Sequence, residues 1–90
     1  MNIKSSKDLV ESALKEIKTM NPSEVKELEN KNQCTLIDIR DIRELWRDGT
    51  INGALHIPRG MLEFWMDPKS QYYNSEKFSK DRKLVLFCAA

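Results

Sequence analysis

The side chain best suited to chemistry is Cys88, which follows the apolar run of residues 84–87 near the end of the 90-residue sequence. That run predicts a buried strand, which would place Cys88 at the strand's carboxyl end. Open α/β sheets bind their ligands at this end of the strands, and an ionised thiol there can act as a nucleophile. Cysteine also occurs as a small buried apolar residue, so this segment alone leaves both interpretations open.

Three other residues have types that could contribute to a site. Arg59 follows the preceding predicted strand and would face the same rim as Cys88 in a parallel sheet, so it either steers an anion or is a solvated surface arginine. His56 lies within that strand, where we expect a packed or half-exposed side chain rather than a catalytic base. Cys34 begins an earlier strand at its opposite end, and we expect a buried thiol there rather than a resolving partner for Cys88.

The composition excludes several classes of protein. Fifteen basic and 14 acidic residues alternate without a basic block, which argues against a nucleic-acid or membrane-surface partner. The sequence has no spacing typical of a metal site, no glycine-rich nucleotide loop and no Ser/His/Asp set, so we expect no cofactor. It also lacks a secretion signal and an apolar run of the roughly 20 residues that a membrane span needs. We therefore expect a soluble, cytoplasmic protein whose cysteines remain thiols.

The apolar pattern predicts one small domain with an α/β fold, in which a mostly parallel, open sheet has helices on both faces. Residues 34–40 are almost continuously apolar up to Asp38 and rich in β-branched side chains, which is typical of a strand covered on both faces. The predicted elements are helices over about 5–18, 22–30 and 41–48, strands over 34–40, 54–58 and 84–88, and a helical turn or lid over 61–66.

The three predicted helices differ in the apolar face they offer. The first has Leu9, Val10, Ala13, Leu14 and Ile17 at helical spacing, and we expect this face to pack inward. The second begins with a strong start signal at 21–24 but has few apolar residues, so we expect it to lie on the surface of the sheet. In the third, Ile42, Leu45 and Trp46 are expected to point inward.

Three segments, in this order, resemble the rhodanese family. Residues 36–40 match its strand of two hydrophobic residues followed by Asp-x-Arg, and residues 49–58 match its Gly-x-Ile-x-Gly-Ala-x-x-Ile-Pro turn and strand. Residues 84–88 fall where rhodaneses have the strand that ends in the catalytic cysteine. The continuation over 59–68 is similar to single-domain thiosulfate sulfurtransferases of that family, and the resemblance covers about residues 17–90.

The resemblance implies a sulfurtransferase in which Cys88 is the catalytic nucleophile. A thiolate of this family takes the sulfane sulfur of thiosulfate and passes it to cyanide, a thiol or a sulfur-acceptor protein. By the same resemblance, Ala89 and Ala90 begin the loop that holds the anion, and Arg59 is a candidate substrate-binding residue. Asp38 and Arg40 resemble the family's pair at the strand end, and we expect them to support the site by pinning neighbouring loops through a charge-assisted hydrogen bond.

The family's active-site loop has the form Cys-x-x-Gly-x-Arg/Lys-Ser and leads into a helix, and only Cys88, Ala89 and Ala90 of it are present here. We therefore expect this chain to be a piece of a longer domain, incomplete at its carboxyl end, and to be a poor catalyst as it stands. Two alternatives stay open: a non-catalytic rhodanese module that binds a protein or delivers a sulfur carrier, and a phosphatase-like relative with a longer loop.

Overall fold

The computed structural model describes residues 2–76, 78 and 82–89. Within them, helices and parallel strands alternate from residue 22 onward, as the sequence pattern predicts. The elements are α1 (Ser6–Leu14), α2 (Pro22–Asn30), β1 (Cys34–Asp38), α3 (Ile42–Asp48), β2 (Leu55–His56), a 3₁₀ turn (Arg59–Met61), α4 (Leu62–Met66) and β3 (Lys83–Phe87). The segment 61–66, predicted as a helical turn or a lid, is thus the end of the 3₁₀ turn followed by a short helix.

Side chains cap the first three helices at their amino ends. The Ser5 hydroxyl accepts a hydrogen bond from the Asp8 N–H at 3.1 Å, and the Asn21 side chain accepts one from the Glu24 N–H at 2.9 Å. The Glu24 carboxylate accepts the Asn21 N–H in return, which completes a capping box. These bonds satisfy N–H groups that have no partner within the helix, which explains why α1 and α2 start where they do.

Among the described residues the strands form one parallel sheet in the order β2, β1, β3. Ile37 of β1 pairs with Leu55 on one side and with Leu86 on the other, and Asp38 pairs with His56 and Phe87. Because all three strands run in the same direction, their carboxyl ends lie along one edge. We call residues 39–40, 57–59 and 88–89, which follow these ends, the carboxyl rim.

The hydrophobic core lies between β1, β2 and α4. Ile37 and Ile57 are fully buried, and Leu62 and Phe78 are nearly so. Half-buried side chains from β1, β3, α4 and the 3₁₀ turn pack around these four, namely Ile39, Met61, Trp65, Met66 and Leu84. The core therefore anchors the central strand directly beneath the carboxyl rim.

Two predicted apolar faces differ from the structure. Helix α1 ends at Leu14 rather than near residue 18, and its face is exposed: Leu9 and Val10 are each 56% exposed. Trp46 of α3, predicted to point inward, is 76% exposed, while Leu45 is half-buried. Helical spacing identifies an apolar face but not the element that covers it: α1 buries no residue, and the face of α3 is only partly covered, with Ile42 38% exposed.

The backbone directly after α1 forms a turn that is tighter than the helix. The Glu16 N–H donates to the Ala13 carbonyl at 2.9 Å, an i to i−3 bond typical of a helix end. Within residues 2–76, 78 and 82–89, no helix combines the length and the apolar character that crossing a bilayer requires.

Candidate active site

Cys88 lies immediately after β3 and its side chain is exposed at the carboxyl rim. Backbone hydrogen bonds link the residues of the rim that follow the three strands. The Ile39 N–H donates to the Phe87 carbonyl at 3.2 Å, and the Arg59 N–H donates to the Ile39 carbonyl at 3.2 Å. These two bonds fix the residues after β1 between those that follow β3 and those that follow β2.

Beside Cys88, the rim is held by a group of residues that we call the Asp38 cluster: Asp38, Arg40, Gly49 and Thr50. The Asp38 side chain is fully buried and accepts two bonds from the Arg40 guanidinium, at 2.9 Å from Nε and 2.8 Å from Nη2. It also accepts the Arg40 N–H at 3.1 Å and the Thr50 hydroxyl at 2.7 Å. Arg40 in turn donates to the Gly49 carbonyl at 2.8 Å, so the cluster joins β1 to the end of α3.

These contacts keep Asp38 ionised. The hydrogen bonds from the Arg40 side chain hold the pKa of the Asp38 carboxyl far below its usual range, although burial alone would raise it. A carboxylate can accept hydrogen bonds at both oxygens, and the bonds from Arg40 and Thr50 involve both oxygens of Asp38. Donors of the chain itself therefore engage the Asp38 carboxylate on both of its oxygens.

His56 adds a second connection to the same loop. Its Nε2 lies 2.8 Å from the Arg40 carbonyl oxygen, so Nε2 must bear the proton that is donated. The ring is half-buried at the end of β2, which agrees with the expectation of a packed or half-exposed histidine. His56 thus ties β2 to the loop after β1, and its hydrogen-bonded nitrogen faces backbone.

Arg59 lies on the same rim as Cys88, with the end of β1 between them. Its backbone is bonded to Ile39, as described above, while its side chain is 64% exposed and pairs with Glu63 through Nη1 and Oε1 at 2.6 Å. Ala89 follows Cys88 and is also exposed. Ala90, the remaining predicted substrate-binding residue, lies outside the described residues.

Cys34 is distant from this arrangement. It begins β1, whereas the rim lies beyond the other end of that strand, and it is only 6% exposed. Burial raises the pKa of the Cys34 thiol, with a smaller contribution from the charge of Glu29. Cys34 is thus poorly placed to exchange sulfur with Cys88. Of the described residues, no three His, Cys, Asp or Glu side chains are grouped as a metal ion would need.

Sequence reasoning named Asp38 and Arg40 but missed Thr50, Gly49 and Glu63. Thr50 lies 12 residues from Asp38, and no local pattern indicates which carboxylate a hydroxyl at that distance will contact. The Arg59–Glu63 pair could have been found, because the two residues are four positions apart in a segment with helical spacing.

Comparisons with known proteins agree with this geometry. Residues 21–90 match the family model of the rhodanese-like domain. A solved structure from Rhodopseudomonas palustris CGA009, a protein of unknown function described as a possible tyrosine phosphatase, is 36% identical with a TM-score of 0.82; the match covers 99% of this chain and 70% of that one. No curated protein sequence matches the chain significantly. The fold prediction of an open, parallel α/β sheet is confirmed, and the chain belongs to the rhodanese-like domain family.

Proposed function

We propose that the protein is a sulfurtransferase in which Cys88 receives a sulfane sulfur atom and passes it to an acceptor. The observation that carries this proposal is the exposed position of Cys88 on the carboxyl rim. Cys88 directly follows β3, whose last residue, Phe87, accepts a hydrogen bond from the Ile39 N–H in the loop after β1. A cysteine thiolate is a soft nucleophile that can hold a transferable sulfur. A thiol also loses its proton near neutral pH more readily than a hydroxyl does.

The proposed reaction has two steps. The Cys88 thiolate attacks the outer sulfur of a donor such as thiosulfate, the sulfur–sulfur bond of the donor breaks, and sulfite leaves with the bonding electron pair. The resulting cysteine persulfide then gives its outer sulfur to cyanide, a thiol or an acceptor protein, which regenerates the thiolate. Neither step requires a general base at His56, whose hydrogen-bonded nitrogen faces a backbone carbonyl.

We assign the remaining residues supporting roles. Ala89 and Ala90 would begin the loop whose N–H groups stabilise the persulfide and the leaving anion, since preorganised donors need no reorganisation during the reaction. Arg59 would attract the anionic donor from its position on the rim whenever its guanidinium is not paired with Glu63. Asp38 and Arg40 would hold the loop after β1 in register with Cys88. The reducing cytoplasm would keep Cys88 a thiol between turnovers.

Intact-mass measurement tests the proposal. With the complete active-site loop present, incubation with thiosulfate should add the mass of one sulfur atom, and a reductant should remove it. The Cys88→Ser variant should gain nothing, whereas Cys34→Ser should gain sulfur like the wild type because Cys34 is buried at the opposite end of β1. A wild-type mass that does not change under these conditions would contradict the assignment.

Phosphate-ester hydrolysis is a second candidate, favoured by the likeness to the Rhodopseudomonas palustris protein described as a possible tyrosine phosphatase. In that case the Cys88 thiolate would attack phosphorus, the P–O ester bond would break with loss of the alcohol or phenol, and water would then cleave the phosphocysteine intermediate to release phosphate. Release of nitrophenol from p-nitrophenyl phosphate by the wild type, and its absence in Cys88→Ser, would favour this function over sulfur transfer. A third candidate, a binding module without catalysis, would give neither product.

A further inference from the structure

The arginines near the rim are all neutralised by acidic neighbours. Each guanidinium between residues 40 and 59 lies within 3 Å of a carboxylate oxygen, in the pairs Arg40–Asp38, Arg43–Asp41, Arg47–Asp48 and Arg59–Glu63. An anion that approaches one of these four arginines therefore meets an ion pair and not an unpaired guanidinium. A guanidinium must leave its carboxylate before it can bind an anion. The ion pair that opens most easily therefore determines whether the site favours anionic reactants.

The Arg59–Glu63 pair is the one that can open at least cost. Arg40 is fixed by two bonds to a buried carboxylate and one to a carbonyl, and its side chain is only 13% exposed. Arg43 and Arg47 each contact their carboxylates through two nitrogens. Arg59 contacts the Glu63 carboxylate through Nη1, and both members of this pair are more than 60% exposed to water.

Arg59 also has the most useful position. Its N–H is bonded to the Ile39 carbonyl, and the Ile39 N–H is bonded to the carbonyl of Phe87, the residue before Cys88. Arg59 and Cys88 are thus separated by the width of one strand on the same rim. Strands lie about 4.8 Å apart, so the two backbones are about 10 Å apart, a distance over which a charge is felt in moderate salt.

We propose that Glu63 determines the specificity of the site for the charge of the reactant: by occupying Arg59, it suppresses the attraction of anions toward Cys88. Glu63 is tethered one helical turn from Arg59, so an anionic reactant must compete with a carboxylate that is always close by. The protein consequently favours neutral over anionic reactants more than an unpaired Arg59 would allow. This inference rests on the proposed function, because it concerns the reactants of Cys88. Alkylation of Cys88 can nevertheless test it without any sulfur transfer.

Competing alkylating reagents provide the test. Iodoacetate and iodoacetamide both transfer a carbon to the Cys88 thiolate with loss of iodide, but only iodoacetate is charged. We expect Glu63→Gln to raise the iodoacetate-to-iodoacetamide rate ratio at Cys88 by about two- to fivefold at low salt, the size expected for one charge at about this distance. Peptide mapping of the alkylated full chain separates Cys88 from Cys34.

The chain offers a matched control. Lys31 and Glu27 form another exposed pair four residues apart, on α2, with side chains 59% and 69% exposed. Glu27→Gln removes the same charge from the protein and should leave the rate ratio unchanged. An equal rise in both variants would show that only net charge matters, and this would overturn the proposal; so would an unchanged or lower ratio in Glu63→Gln.

A double-variant cycle tests the route through Arg59. In an Arg59→Gln background, the effect of Glu63→Gln should shrink, because no guanidinium is left to be released. An undiminished effect would overturn the role of Arg59. Both substitutions are at exposed positions, and circular dichroism confirms that the variants are folded.

Thiosulfate separates this inference from the proposed function. If the wild type acquires sulfur, Glu63→Gln should lower the KM for thiosulfate by a similar factor without changing kcat. A wild type that gains sulfur with a KM equal to that of Glu63→Gln would refute the role of Glu63 alone. A changed alkylation ratio in a protein that never gains sulfur would refute the sulfurtransferase assignment alone.

Discussion

At the scale of single residues, Asp38 is the most constrained group of the described structure. It is a fully buried carboxylate that satisfies Arg40 and Thr50 at once, and burial without these partners would be costly. The Asp38–Arg40 bond could be predicted because the two residues are two positions apart at a strand end. Its completion by Thr50 and Gly49 could not, since both follow α3 and reach the strand only after the chain has folded back.

Replacing Asp38 by Asn should cost about 3 kcal/mol of unfolding free energy at pH 7, because Arg40 then loses its countercharge while largely removed from water. The pKa of Asp38 is lowered in the folded state, so the pair stabilises the fold fully above the unfolded pKa, and this contribution is lost as the pH falls below about 4. Urea unfolding between pH 7 and pH 3 should show the difference between Asp38→Asn and the wild type shrinking with acid.

The matched control for this experiment is Asp48→Asn. Asp48 also pairs with an arginine, Arg47, but both side chains are more than half exposed, so the substitution should change stability little. A gap between Asp38→Asn and the wild type that stays constant down to pH 3 would argue against an ionised, bonded Asp38.

At the scale of elements, local signals predicted what local physics determines. The start of α2 follows from Asn21, Pro22 and Glu24, and the strand over β1 follows from its β-branched run. The outward position of Trp46 and the exposed face of α1 were not predictable in this way. Each depends on which other element lies opposite, and helical spacing gives no information about that.

The caps of α1 and α2 should differ in their effect on stability, although both rest on a side-chain bond to an N–H. Helix α2 packs against β1, so Asn21→Ala should lower the unfolding free energy of the whole domain by about 1 kcal/mol. Helix α1 buries no residue, so Ser5→Ala should reduce helical circular dichroism without moving the main thermal transition. Equal shifts of the transition in both variants would show that α1 unfolds together with the sheet.

At the scale of the whole molecule, one face of the sheet carries an open apolar groove. It has a volume of about 420 Å³ and is lined mainly by residues of α2 and the sheet, together with Met20 and Ile51. Val85 of β3 lines it and pairs with Leu36 of β1, which lines it too. Parallel sheets are normally covered on both faces, so the groove leaves this face of the sheet partly uncovered.

A hydrophobic dye should report this groove. The native protein should enhance the fluorescence of anilinonaphthalene sulfonate. Val85→Lys should reduce the enhancement, because Val85 pairs with Leu36 and shares its face of the sheet, so the charge is placed among the apolar side chains of the groove. Leu14→Lys, which alters the exposed face of α1 instead, is the matched control and should reduce it less. If both variants lower the signal equally, the dye is not bound in the groove.

The two thiols of the chain lie at opposite ends of the sheet, and Cys34 is buried whereas Cys88 is exposed. Cys34 pairs with Lys83 of β3 at the start of β1 and is 6% exposed, so we expect a reagent to reach it when β1 separates from β3. The rate at which Cys34 is labelled, relative to an unfolded peptide, therefore measures the free energy of that separation in the native state, much as slow amide exchange does. Labelling of Cys34 thus reports local opening of the native protein without an engineered probe.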